Sequence, residues 1–280
     1  MRVIANAKIN LTLDITGVRP DGFHLLRSVM APVSLCDEIE INKTAVEGIS
    51  FDCNIKELCT QDNLCVRAAK LFFENLGVEP MVSIYLEKRI PFPAGLGGGS
   101  ADAAAILRGL NAIYDNVFDL DALLNMASKL GSDVPLCLIN RACICEGRGE
   151  ELTPIDIPFS FDIVIAIGTA RLSTPTVYRE YDKAGLDIRN DTDKFVLEVN
   201  MGDFDTAVDS LGNAFEPVTD ILAPETKVLR SLMTSLGAKN ARLSGSGPSV
   251  YGIFDSAEKA KNAAEMLKKE GYFAIVCKNI

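Results

Sequence analysis

The 280-residue chain is 48% hydrophobic and 24% charged, a balance that suits a globular protein with two modest cores and excludes a disordered chain. A net charge of −10, with no lysine and arginine cluster interleaved with aromatics, argues against a nucleic-acid partner but leaves room for local phosphate binding by backbone amides. The eight cysteines show no Cys-x-x-Cys spacing, the N-terminus lacks the apolar core of a signal peptide, and apolar runs such as Ile163–Ile167 fall far short of the roughly 20 residues that span a bilayer, so the expectation is reduced thiols, a cytoplasmic location and no membrane span.

In chain order, Val3 to Ile15 alternates apolar and polar residues with the period of one half-buried strand, which puts Lys8 and Asn10 on the same face. Turn chemistry follows at Arg19-Pro20-Asp21-Gly22, then strand-like pieces from Leu25 to Ile41. Asn63 to Leu76 has helical spacing with Asp62 as its cap, and Val82 to Leu86 reads as a strand. After the breaker Pro91-Phe92-Pro93, a glycine run opens a helix whose stripe is Ala103, Ile106, Leu107, Leu110, Ile113 and Tyr114. A third helix, Asp121 to Leu130, stops at Gly131, and Ser132-Asp133-Val134-Pro135 starts a fresh helix or a tight turn. A boundary near Pro154 to Pro158 predicts domains 1–155 and 156–280. Strands at Ile163–Ile167, Val250–Phe254 and Phe273–Cys277, with helical patterns at Phe204–Glu216, Glu225–Leu236 and Ala257–Glu270, make the second an α+β layer domain.

The glycine run Gly95-Leu96-Gly97-Gly98-Gly99-Ser100 carries the strongest chemical signal. A polyphosphate needs backbone amides at close range, which β-carbons would obstruct, and a helix N-terminus adds a favourable dipole. It matches neither the Gly-x-x-x-x-Gly-Lys-Ser/Thr loop nor the dinucleotide fingerprint, and in isolation a flexible turn is the competing reading. Asp133 reads as a helix cap or as a base accepting a substrate hydroxyl proton. Lys8, on a strand face among apolar neighbours, is its candidate partner if that face is buried. Ser244-Gly245-Ser246-Gly247-Pro248 could form a second anion-friendly loop, and Asp21-Gly22-Phe23-His24 reads as a turn presenting rings to a base or as a packed turn. Asn213 and Glu216 read as ordinary helix residues.

Three segments in this order resemble the signature motifs of the GHMP kinases, named after galactokinase, homoserine kinase, mevalonate kinase and phosphomevalonate kinase: Ala7-Lys8-Ile9-Asn10-Leu11, Pro93 to Ala104, and Leu243 to Pro248. With Gly17 to His24 and Leu130 to Pro135, the chain looks like the branch of that family that phosphorylates a cytidylylated methylerythritol in the non-mevalonate isoprenoid pathway. The resemblance covers essentially the whole chain. It implies a two-domain α+β fold, with an N-terminal ribosomal protein S5 domain 2-like β/α layer, a C-terminal ferredoxin-like α+β domain and an active site in the cleft between them.

It further implies transfer of the γ-phosphoryl group of ATP, with Mg²⁺ on the phosphates and no metal ligands assigned to the protein, to the 2-hydroxyl of 4-diphosphocytidyl-2-C-methyl-D-erythritol. Asp133 matches the base and Lys8 its charged companion. Asn10, Phe23, His24, Thr174 and Tyr178 match substrate-binding positions, with His24 bonding cytosine and Tyr178 stacking on it. Asn63 and Lys88 match positions near the adenine, and Pro93, Ala94, Gly95, Leu96, Gly97, Gly98, Gly99, Ser100 and Ala101 the phosphate loop. Ser244, Gly245, Ser246 and Gly247 match the C-terminal glycine loop. Partners are then small molecules only, with the chain a monomer or weak homodimer. Two departures stand out: Phe23 replaces the tyrosine usual before the histidine, and Gly212-Asn213-Ala214-Phe215-Glu216 only loosely matches Asn-Asp-Leu-Glu. A homoserine- or mevalonate-type kinase would keep the glycine loop without the Asp-Gly-Phe-His turn. A non-catalytic nucleotide-binding protein would have no need to retain Lys8, Asp133 and the loop together.

Overall fold

Residues 1–280 are described by a computed structural model, and its elements begin and end largely where side-chain caps, glycines and prolines permit. The alternating N-terminal segment is two strands, β1 (Arg2–Asn10) and β2 (Thr12–Val18), broken at Leu11, where the expectation was one. The strand-like pieces after it are a single 20-residue strand, β3 (His24–Lys43), followed by β4 (Gly48–Cys53). Helix α1 (Leu64–Leu76) is capped by Asn63, not Asp62: the Asn63 side chain accepts from the Cys65 amide at 2.8 Å, and left-handed Gly77 ends the helix. Next come β5 (Met81–Glu87), α2 (Gly98–Ile113), α3 (Leu120–Leu130), capped by Asp119, and α4 (Val134–Ile139), with Pro135 in its first turn.

The second half contains β6 (Cys143–Glu146), β7 (Glu151–Pro154), β8 (Asp162–Ile167), α5 (Thr174–Ala184), α6 (Thr192–Met201) and α7 (Phe204–Asp209). It continues with β9 (Gly212–Asn213), α8 (Glu216–Leu222), α9 (Glu225–Ser235), β10 (Asn240–Leu243), β11 (Val250–Phe254), α10 (Ala257–Lys269) and β12 (Phe273–Lys278). The helical pattern over 204–216 therefore splits. Gly212 and Asn213 leave the helix to pair in parallel with Thr12 and Leu13 of β2, and a Cβ on Gly212 would fall 2.4 Å from Asn190 Oδ1. No disulfide joins the cysteines, and no helix is long and apolar enough to cross a membrane.

The chain forms two compact units, each drawn from three stretches of sequence: Met1–Ala7, Leu35–Pro91 and Gly97–Asn140, and Lys8–Ser34, Phe92–Leu96 and Arg141–Ile280. This differs from the single boundary at 155/156. Residues 8–34 pack with the later part of the chain because β3 pairs with β6 (Ser28 opposite Cys145) and β2 pairs with β9.

In the first unit, β5 lies parallel to β4 and antiparallel to β3, with Ile39 opposite Leu86 and Ile41 opposite Ile84. Those residues, Phe72 and Phe73 of α1 and Ile106, Leu107 and Leu110 of α2 belong to one core, where each fully buried large side chain contributes about 1.5–3 kcal/mol. Helix α2 is buried along most of its length. A Cβ on Gly109 would lie 2.6 Å from Ile41 Cδ1, so any larger residue there would have to displace side chains of the sheet.

In the second unit, β10, β11, β8 and β12 form an antiparallel sheet in that spatial order, with Val250 opposite Ala166 and Ile275 opposite Ile165. With α9 between β8 and β10, and α10 between β11 and β12, this is the ferredoxin-like arrangement expected from the resemblance.

Candidate active site

In the first unit, left-handed Gly97 (φ 67°) is the N-cap of α2 and contributes no side-chain cap, so the first-turn N–H groups of a 16-residue helix are left for an anion. Gly98 leaves little room for a side chain: an added Cβ would come 2.9 Å from Lys88 Nζ and 3.0 Å from Ile90 Cγ2. Lys88, matched by the resemblance to a position near the adenine, has its ammonium buried 2.6 Å from Asp37 Oδ2 and 2.6 Å from Asp102 Oδ2. Burial works against this cation, yet the two carboxylates outweigh it and raise its pKa. Asn63 caps α1 as described. Asp133 occupies the N-cap position of α4, is half-buried, and makes no side-chain capping bond there.

In the second unit, the period of β1 puts Lys8 and Asn10 side by side, and both are buried. Lys8 Nζ donates to Asn10 Oδ1 at 2.8 Å, and Asn10 Nδ2 donates to Ser28 Oγ at 2.9 Å, which fixes the ammonium from behind. The Lys8 amide also donates to Leu96 O at 2.9 Å, tying the strand to Phe92–Leu96, whose last two residues begin the glycine run. Two glycine segments meet here. Ser244 Oγ donates to Gly95 O at 3.0 Å, and a Cβ on Gly95 (φ 74°) would sit 2.4 Å from Ser244 O. Thr174 and Ser246 share a hydrogen bond at 2.9 Å, joining the start of α5 to the same loop.

Asn213 and Glu216 hold that loop, contrary to their reading as ordinary helix residues. Asn213 Nδ2 donates to Leu243 O at 3.0 Å and Gly245 O at 2.8 Å, while its Oδ1 accepts from the Phe215 amide at 2.9 Å. Glu216 Oε1 accepts from the Leu243 amide at 3.0 Å; burial pushes its carboxyl up, and Arg230 and Arg242 pull against that. The loose match to Asn-Asp-Leu-Glu was the sequence signal for this pair.

The rings line up in the same unit. His24 and Tyr178 have centroids 4.7 Å apart, and Tyr178 lies 4.7 Å from Phe215. His24 Nε2 is 2.6 Å from Asp182 Oδ1, a partner no sequence pattern announced. A cleft of about 300 Å³ is lined by Ile15, Gly17, His24, Tyr181, Asp182 and Arg189. Phe23 remains 54% exposed, with the Arg148 guanidinium 5.2 Å from its ring centroid, so the turn packs its imidazole and presents its phenyl ring.

The family model for the GHMP kinases N terminal domain matches residues 63–141, and that for the GHMP kinases C terminal region matches 196–272. A 4-diphosphocytidyl-2-C-methyl-D-erythritol kinase of Clostridium acetobutylicum is 36% identical over 272 residues, covering 96% of both chains. One from Alkaliphilus metalliredigens is 39% identical over 264 residues, covering 94% of this chain and 91% of the relative. A crystal structure of 4-(cytidine 5'-diphospho)-2C-methyl-D-erythritol kinase superposes with a TM-score of 0.86 at 34% identity, covering 100% of this chain and 99% of that one. With its motifs in place and its fold shared end to end, the chain belongs to the GHMP kinases, and within them to the family of these 4-diphosphocytidyl-2-C-methyl-D-erythritol kinase relatives.

Proposed function

We propose that the chain transfers the γ-phosphoryl group of ATP to the 2-hydroxyl of 4-diphosphocytidyl-2-C-methyl-D-erythritol. The observation that carries this reading is the near-full-length relationship to kinases of that name, in a chain that keeps Lys8, Asn10 and His24 in the surroundings described. Phosphoryl transfer asks the protein mainly for positioning and charge stabilisation. The first-turn amides of α2 bind phosphate oxygens, and left-handed Gly97 before them carries no side chain to obstruct the polyphosphate.

Asp133 accepts the proton of the substrate hydroxyl as its oxygen attacks the γ-phosphorus; the β,γ-bridging bond breaks and ADP leaves. The Lys8 ammonium, oriented by Asn10, stabilises the developing alkoxide. A Mg²⁺ ion accompanying the nucleotide would be bound on its phosphates. Such an ion neutralises charge on the transferring group. At the nucleoside end, His24 bonds cytosine, while Tyr178 and exposed Phe23 supply ring faces.

The deciding experiment is ADP release by the purified protein with Mg²⁺ and ATP, comparing the cytidylylated alcohol, homoserine, mevalonate and no acceptor. Turnover confined to the cytidylylated alcohol supports the proposal. Turnover confined to homoserine or mevalonate keeps a kinase and removes the cytidine site, and no turnover with any acceptor removes the catalytic reading.

A further inference from the structure

Beneath the first turn of α2 lies a charge cluster that neither the chemistry at the hydroxyl nor the glycine motif accounts for. Asp37 of β3, Lys88 just after β5 and Asp102 of α2 have side chains no more than 4% exposed, and the ammonium touches both carboxylates. The cluster reaches the phosphate loop directly, since a Cβ on Gly98 would lie 2.9 Å from Lys88 Nζ.

Two carboxylates and one ammonium leave a net charge of about −1 where water does not reach, which a low-dielectric interior strongly disfavours. One retained proton removes the imbalance, and the hydrogen bonds say where it goes. Asp37 Oδ1 accepts from the backbone amides of Arg89 at 2.5 Å and Ile90 at 2.7 Å, and its other oxygen meets Lys88, so both of its oxygens are already engaged as acceptors. Asp102 has Lys88 on Oδ2 and no partner for buried Oδ1.

We propose that Asp102 is a positioning residue for the nucleotide: its proton neutralises the Asp37–Lys88–Asp102 cluster beneath the phosphates, so that nucleotide binding and protonation of Asp102 are coupled. With the proton in place, the dipole of α2 faces the phosphates unopposed; without it, a buried negative charge near the start of the same helix repels them. Burial raises Asp102 most, Lys88 lowers it and Asp37 raises it again, leaving it at about 8. The other titratable neighbours are Cys53 of β4 and Cys65 of α1, whose thiols burial pushes up, so both stay largely neutral where Asp102 titrates. Bound phosphate adds negative charge and raises Asp102 further, so binding draws in a proton wherever the unliganded protein has begun to lose it.

This coupling rests on Gly97–Ala101 holding phosphate, and one titration separates the two ideas. MgADP is titrated calorimetrically into the whole protein, wild type and Asp102→Asn, in buffers of different ionisation heat at about pH 7 and about pH 8.5. Wild type is expected to take up about half a proton per nucleotide near pH 8.5 and little near pH 7, with affinity about threefold weaker at the higher pH. Asp102→Asn should take up none beyond its value near pH 7 and hold its affinity constant. Equal uptake by wild type and variant, or none by wild type near pH 8.5, overturns the coupling and leaves the phosphate cradle standing. No binding of MgADP to wild type at either pH overturns the cradle and the coupling with it. If the variant does not fold, the wild-type series decides alone: an affinity that is flat between the two pH values overturns the proposal.

Discussion

At the scale of single residues, this chain uses neighbours to fix what a catalytic group can do. Asp133 starts α4 without capping it, so removing its charge should leave the helix intact. Asp133→Asn is expected to bind MgATP normally while kcat falls about 10²- to 10⁴-fold, the usual worth of a general base. Nucleotide titration and ADP release check the two halves, and near-normal turnover would remove Asp133 from the mechanism. Asn213 makes the opposite kind of contribution. It is 2% exposed and bonds two loop carbonyls and one amide, so Asn213→Ala leaves buried partners unpaired at about 1–3 kcal/mol each. A lowered denaturant midpoint with an unchanged m-value is the expected result, and a midpoint equal to wild type would show that the loop is held by other means.

At the scale of elements, the segment 92–96 and the loop 244–247 depend on mutual approach within the second unit. Gly95 combines a left-handed backbone with a carbonyl 2.4 Å from where its Cβ would be, and that carbonyl belongs to backbone that cannot simply rotate away. Gly95→Ala should therefore cost about 1–3 kcal/mol through φ strain and more through the clash, read as a drop in thermal midpoint together with lost activity. A fully active, equally stable variant would mean that the two loops do not need this contact. Element boundaries were legible where local chemistry sets them, as at Gly131 after α3 and at Pro135 in α4. They were misread where a distant partner decides: 204–216 has helical spacing, but Gly212 and Asn213 pair with Thr12 and Leu13 of β2, far earlier in the chain.

For the molecule as a whole, the buried cluster makes stability depend on pH in a direction that can be derived. Asp102 titrates near 3.8 when solvated and at about 8 in the folded protein, so between those values the native state holds a proton that the unfolded chain releases. Its contribution is complete below about pH 4 and is lost as pH rises through about 8. Thermal midpoints should fall between about pH 5 and about pH 8.5 on this account, and Asp102→Asn should flatten the slope. A wild-type midpoint that rises across that range, or a variant with the same slope, would count against the assignment. The partition into two units follows the same logic of distant pairing, because long strands β1 and β3 each contribute residues to both.

Local periodicity and stereochemistry made several features legible: Lys8 and Asn10 on one strand face, a glycine run opening onto a helix, and a turn after Arg19 that leads to Phe23 and His24. Each of these depends on residues within a few positions of one another. The Lys88 ammonium between Asp37 and Asp102, the bond from Asp182 to His24, and the hold of Asn213 and Glu216 on the loop after β10 emerge only from the folded arrangement. Those partners come together through strand pairing and helix packing across tens to more than a hundred residues, and no spacing along the chain encodes which buried charge will meet which.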